Sequence, residues 1–179
     1  MAQFKAYSPS VQVNGQTVLS VMKGMGAFGP TAAAILARHG INSPDPQGWY
    51  SQQAWLDAFQ EIAKSIGPRT LNQIGMSIPS SAKFPPGIDT VDKALAAVDV
   101  AYHMNHRGGD IGQYAFRKTG ERKGVMECRN PYPCDFDRGI VEAMARRFAP
   151  AGAVLSVTHD PTKPCRSKQG ESCTFLISW

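Results

Sequence analysis

The chain lacks any run of about 18 consecutive apolar residues, which excludes a membrane-spanning helix. Met1 to Ser10 has no basic segment followed by an apolar one, so nothing there marks the protein for secretion, and a cytoplasmic location is the expectation. There is no internal repeat of about 20–50 residues and no low-complexity tract. A Gly-x-Ser-x-Gly turn and a phosphate loop are absent. Gly24-Met-Gly26-Ala-Phe-Gly29 imitates a dinucleotide fingerprint, but no acidic residue follows at the required distance and no βαβ unit surrounds it. Those glycines instead let the chain turn. With no nicotinamide, flavin or hydrolase signature, a binding module is expected rather than an enzyme.

Charge is also scarce, at 18% of residues. The net charge of +5 raises nucleic acid as a partner, but the basic residues gather only at Arg117, Lys118, Arg122 and Lys123 and again at Arg146 and Arg147. A nucleic-acid surface needs a longer stripe interleaved with aromatics, so nucleic acid is not the expected partner. Hydrophobic residues make up 42% of the 179, far from the composition of a disordered chain. A chain of this length buries about two-thirds of its unfolded surface without needing disulfides. Residues 1–179 are expected to form a single ligand-binding domain: an arm over 1–28, a helical half over 29–107 and a sheet-containing half over 108–179.

Val11-Gln12-Val13, Asn14-Gly15 and Thr17-Val18-Leu19 suggest a small hairpin or an extended arm with a turn. A short helix follows over 30–39, stopped by Gly40. Trp55, Phe59, Ile62 and Ile66 lie along one stripe of a second helix, with Ser51 as its N-cap and Gly67-Pro68 as its stop. A short helix over 69–75 precedes a proline-rich loop, and Val91, Leu95, Val98 and Tyr102 mark another over 90–105. Two strands are then expected over 111–118 and 123–128. A helix follows over 135–148, with Phe136, Ile140, Met144 and Phe148 every four residues, and two further strands over 153–157 and 173–177. This order predicts an α+β fold, a helical N-terminal half packed on a small antiparallel sheet.

All four cysteines, Cys128, Cys134, Cys165 and Cys173, fall in the last third. In a chain without a secretory leader, thiol or thiolate roles come before disulfides. Cys165 and Cys173 bracket a polar turn containing Gly170, which can bring both sulfurs together. Cys134 opens a helix, where the dipole favours thiolate. Three thiolates meeting at one sheet edge suit tetrahedral zinc, with Cys128, His159, Asp160 or Glu142 as candidate fourth ligand. The alternative is three buried thiols that only pack.

The segment Cys134-Asp-Phe-Asp-Arg-Gly139, continuing through Phe148 to Pro164-Cys165-Arg166, Gly170, Cys173 and Phe175, resembles the 4-vinyl reductase-type, or hydrocarbon-binding, domain. That domain is a small-molecule-binding module found also in the sensory part of phenol- and xylene-responsive regulators. The resemblance covers about residues 90–179 and carries over Cys134, Cys165 and Cys173. It implies zinc, which those sensors hold through these cysteines and one acidic residue. Here the span to Cys165 is longer, no glutamate stands in the fourth ligand's place, and Cys128 is an addition that can serve instead. The resemblance further implies a homodimer, and a fold shared with haem-nitric-oxide-binding domains and with subunits of a vesicle-transport complex.

That kinship gives the histidines a second meaning. Asp99, His103 and His106 are spaced to share one helix face, opposite the apolar stripe, so His103, His106 or His159 is an alternative metal or haem ligand. The Tyr-x-Ser-x-Arg motif of those haem domains is missing; Tyr114-Ala-Phe-Arg117 lacks the serine and the arginine spacing. The expected function is a sensor or carrier for an apolar or aromatic small molecule with a structural zinc site. The candidate pocket residues are Trp55, Phe59, Tyr102, Tyr114 and Phe116. A haem- or tetrapyrrole-binding gas sensor, or a protein of tetrapyrrole metabolism, is the alternative. No DNA-binding helix pair accompanies these elements, so a signal would pass to a partner protein or through dimerisation.

Overall fold

Helical spacing produces helices where the apolar stripes fall. In the computed structural model, which describes residues 3–179, these are α2 (Gly29–Arg38), α3 (Gln52–Ser65), α4 (Arg69–Ser77) and α5 (Val91–Met104). Ser51 caps α3 by accepting from the Ala54 amide at 3.3 Å, and Thr90 caps α5 through the Lys93 amide at 3.3 Å. Trp55, Leu56, Phe59 and Ile62 of α3 are all fully buried. At about 1.5–3 kcal/mol for each large apolar side chain, that stripe is a principal anchor of the helical half.

The arm differs from the expectation. The short strand β1 (Gln12–Asn14) runs straight into α1 (Gly15–Gly24), so Thr17-Val18-Leu19 is helical and not a returning strand. Asn14 is a cap and not a turn residue: its side-chain oxygen accepts from the Gln16 amide at 2.9 Å. Val18 and Val21, three residues apart, then bury on one helix face. The actual partners of β1 are distant in sequence. It pairs antiparallel with β2 (Trp49–Ser51) and with β3 (His106–Arg107), making a three-stranded ribbon that staples the start of the chain to the end of α5.

The C-terminal half follows the expected order: β4 (Gln113–Gly120), β5 (Lys123–Arg129), α6 (Cys134–Phe148), β6 (Ser156–His159) and β7 (Cys173–Ser178). These strands form an antiparallel sheet in the order β4-β5-β7-β6. The third strand begins later than its sequence suggests. The Ala153 amide closes a turn onto the Pro150 carbonyl and Val154 is left 86% exposed, so pairing starts at Ser156 and brings His159 onto the strand end. Helix α6 lies against the helical half through α4. A Cβ on Gly75 would strike the Phe136 carbonyl, and one on Gly139 the Asn72 carbonyl, so the two backbones approach as only glycine allows. The interior is one contiguous core running from Val13 and Trp55 through Phe136 and Met144 to Phe175 and Ile177.

Candidate metal centre

Four donors converge where α6, β6 and β7 meet. Cys134 is the first residue of α6, His159 the last of β6 and Cys173 the first of β7, while Cys165 lies in the loop joining those two strands. That loop is folded back by a short 3-10 turn over Arg166–Lys168, closed by the Lys168 and Gly170 amides on the Cys165 carbonyl, with Gln169 left-handed at φ 66°. The Cys134 and Cys173 sulfurs are 2.8 Å apart, Cys134 and Cys165 3.4 Å, and Cys165 and Cys173 3.6 Å. His159 Nε2 is 3.8 Å from the Cys165 sulfur, its ring stacked on Phe175 with centroids 4.5 Å apart. One ligand atom from each of the four residues lies within 4.8 Å of the other three.

N–H donors reach two of the sulfurs. Gln3 Nε2 donates to the Cys134 sulfur at 2.8 Å, and the Arg166 amide donates to that of Cys173 at 3.3 Å. The Cys173 thiol is pushed well below its ordinary range, chiefly because the Cys134 S–H donates to it, with His159 and the Arg166 cation adding. Cys134 is correspondingly pushed up, as the donor in that contact and by burial. The pair thus shares a proton that a metal ion would displace. Tetrahedral zinc, with Zn–S near 2.3 Å, sets donor–donor edges of about 3.8 Å. The sulfur–sulfur separations of 2.8–3.6 Å are shorter than that, so zinc would need the Cys134 and Cys173 sulfurs to move apart. Half-exposed Cys165 leaves the cluster open on one side, beside a surface hollow lined by Lys163, Ser167 and Lys168.

The fourth residue whose ligand atom falls in this cluster is His159, and the three other residues considered for that place lie outside it. Cys128 pairs with Cys173 across β5 and β7 but stands outside the cluster; its thiol is fully buried and burial holds it well above the ordinary range, so it packs as an apolar residue. Asp160 is held in a turn by Thr162, and Glu142 pairs with Arg146 at 2.7 Å. His103 is exposed, with Nδ1 on its own helix's Asp99 carbonyl at 2.9 Å.

His106 does not share that face. Helix α5 stops at Met104, and His106, on β3, turns inward and is buried. Its Nδ1 meets the Tyr102 carbonyl at 2.8 Å; a carbonyl only accepts, so Nδ1 carries the proton and Nε2 accepts from the Tyr132 hydroxyl at 2.7 Å. Burial lowers the imidazole to about 4, leaving it neutral. Tyr102, His106, Tyr114, Tyr132, Phe136 and Ile140 line part of an interior cavity of about 40 Å³. Of the expected pocket residues, only Tyr102 and Tyr114 reach this cavity. Trp55 and Phe59 are packed edge-to-face with each other and with Tyr132, and Phe116 is half-buried against the core.

One functional pair escapes sequence reading. Asp137, in the first turn of α6, is fully buried and paired with the equally buried Arg166, the residue after Cys165. Arg166 also binds the Asn130 carbonyl and its side-chain oxygen, and the Tyr114 hydroxyl donates to Asp137 at 2.6 Å. The only signal was the arginine inside the Cys-Arg turn, which carries no hint of its partner.

The architecture has known counterparts. An S. oneidensis H-NOX protein in the Fe(II) state superposes with a TM-score of 0.68 at 12% identity, covering 92% of this chain and 95% of that one. The fold is that of H-NOX domains. A K. algicida Fe(II) unliganded H-NOX gives 0.61 at 12% identity over the same shares, and a mutant of T. tengcongensis H-NOX gives 0.63 at 13%, covering 92% and 96%. Other structures of this fold concern haem distortion in the H-NOX family. No protein-family model and no curated protein matches the chain, so the 4-vinyl reductase resemblance rests on the residues of its C-terminal segment. No single helix among the described residues is long and apolar enough to cross a membrane.

Proposed function

We propose that this chain is a sensor module of H-NOX fold whose C-terminal half is locked by a structural zinc ion. The convergence of Cys134, His159, Cys165 and Cys173 within 4.8 Å carries this reading. Three soft sulfurs and one imidazole are a zinc donor set, and using all four leaves no open position for a substrate water, so the ion's role is structural. When bound, zinc supplies a closed electrostatic crosslink. The chain's own residues do the rest: Gln3 and the Arg166 amide support the sulfurs, and Phe175 orients the His159 ring. The crosslink joins the start of α6 to β6 and β7, strands that the helix otherwise meets chiefly through core packing. The sensing role comes from the fold and the C-terminal resemblance, with output through a homodimer or a partner protein. The ligand class is small and apolar or aromatic. The cavity beside His106, about 40 Å³, has room for a few waters, so a ligand of this class needs it to widen.

The competing reading, haem-based gas sensing, rests on the fold neighbours, solved as Fe(II) H-NOX proteins and in work on haem distortion, and on the buried neutral imidazole of His106, whose Nε2 is already taken by the Tyr132 hydroxyl at 2.7 Å. The test of the main reading is metal analysis of protein purified without chelator or added metal. One zinc per chain, lost in Cys173→Ser, is expected. Zinc below a tenth of an equivalent, with three freely titrating thiols, rejects it.

A further inference from the structure

We infer that Tyr132 plugs the interior at His106 and closes this H-NOX fold to haem. His106 has half of what an iron ligand needs. Its Nδ1 proton is fixed on a backbone carbonyl at 2.8 Å, which leaves the Nε2 lone pair directed inward, and its surroundings keep it neutral. The other half is occupied. The Tyr132 hydroxyl sits 2.7 Å from Nε2, in the direction an iron atom would have to approach.

Tyr132 cannot easily leave. It is 2% exposed and its ring is wedged among Trp55, Phe59, Tyr102 and Phe136, with centroids 5.1–6.5 Å away. The position is set by its local chain: Pro131 and Pro133 flank it, and its amide donates to the Asn130 side chain at 2.9 Å. Asn130 is itself clamped by Arg166, so the plug is anchored from the metal-site loop.

Space and charge agree. The cavity beside His106 is about 40 Å³, whereas cofactor sites run to roughly 300–1,000 Å³. None of its lining residues is a lysine or arginine that could neutralise two propionates, and the buried Arg166 is already committed to Asp137. A larger hollow of about 480 Å³, lined by Leu19, Met22, Ala33 and Ile41 among others, lies on the surface and offers no imidazole. The helical half therefore keeps the fold and fills its centre with tyrosine.

Two experiments on the zinc-analysed full chain test this. Hemin is titrated into wild type and His106→Ala. No Soret band, or a weak band the same in both, is expected; one haem per chain in wild type that disappears in His106→Ala overturns the inference. If His106→Ala fails to fold, the stoichiometry on wild type decides, one equivalent against less than a tenth. Separately, Tyr132→Gly removes the plug, and p-cresol, the missing side chain as a free molecule, should raise its Tm by a few degrees at millimolar concentration and leave wild type unmoved. An equal rise in both overturns the plug. Zinc content is read on the same samples, so loss of the metal reading and loss of this one are distinguishable.

Discussion

Replacing Arg166 by methionine removes a guanidinium from a pair whose side chains are both fully buried, Arg166 and Asp137. The backbone amide that donates to Cys173 is kept, and the volume is nearly kept. Removing one partner of a buried pair costs about 3–5 kcal/mol, because the other charge is left uncompensated. Asp137 keeps the Tyr114 hydroxyl at 2.6 Å and Asn130 Nδ2 at 3.4 Å, which places the loss near the lower end of that range. Burial already pushes the Asp137 carboxyl up, to about 6, against the attraction of Arg166. Without the cation it takes up a proton more readily still. The loss should therefore be larger at pH 8, where the orphan must stay charged or protonate against the bulk pH, than at pH 5. Urea unfolding followed by far-UV circular dichroism, at both pH values and with zinc content verified, measures this. Asp137→Leu in the Arg166→Met background should recover part of the loss. A loss under about 1 kcal/mol at pH 8, or equal losses at the two pH values, would refute the account of this pair.

Three further outcomes are expected. Cys165→Ser should abolish stoichiometric zinc and lower stability by several kcal/mol, against about 1 kcal/mol for a thiol that merely packs; thermal melts with and without a chelator separate the two. His106 is neutral in the fold at about 4 but titrates near 6.5 when unfolded, so the unfolded chain binds the extra proton. Its contribution is complete above pH 6.5 and falls as pH drops toward 4, by about 3 kcal/mol, and a His106→Gln variant should show a flatter stability profile over that window; a parallel profile contradicts it. Gly139→Ala should destabilise by about 1–3 kcal/mol although alanine is the better helix former, because the new Cβ strikes the Asn72 carbonyl; a stabilised variant in thermal melts would mean α4 and α6 are not in close contact.

The helices and the four-stranded sheet were legible because their signals are local: apolar stripes at 3.6-residue spacing, a cap at Ser51, a stop at Gly67-Pro68 and short apolar runs bounded by turns. The arm misled because Asn14-Gly15 satisfies both a hairpin turn and a helix cap, and only burial of Val18 and Val21 decides between them. Cys134, Cys165 and Cys173 were legible as a set, since a helix start and a glycine-bearing turn each announce themselves. The fourth donor was not, because choosing His159 over Cys128 depends on where β6 begins, a register fixed by the turn at 150–153. His106 misled for a related reason: helical spacing was extrapolated past Met104, where the chain leaves the helix and enters β3. The Asp137–Arg166 pair spans 29 residues and two elements, and no periodicity links its members.

X-ray absorption at the zinc edge, on protein as purified, interrogates the four-donor cluster atom by atom. A shell of three sulfurs near 2.3 Å and one nitrogen near 2.0–2.1 Å is expected, with the nitrogen lost in His159→Ala. Four sulfurs would bring Cys128 into the shell in place of His159, and a shell of oxygen and nitrogen alone, or no zinc at all, would contradict the metal-locked fold.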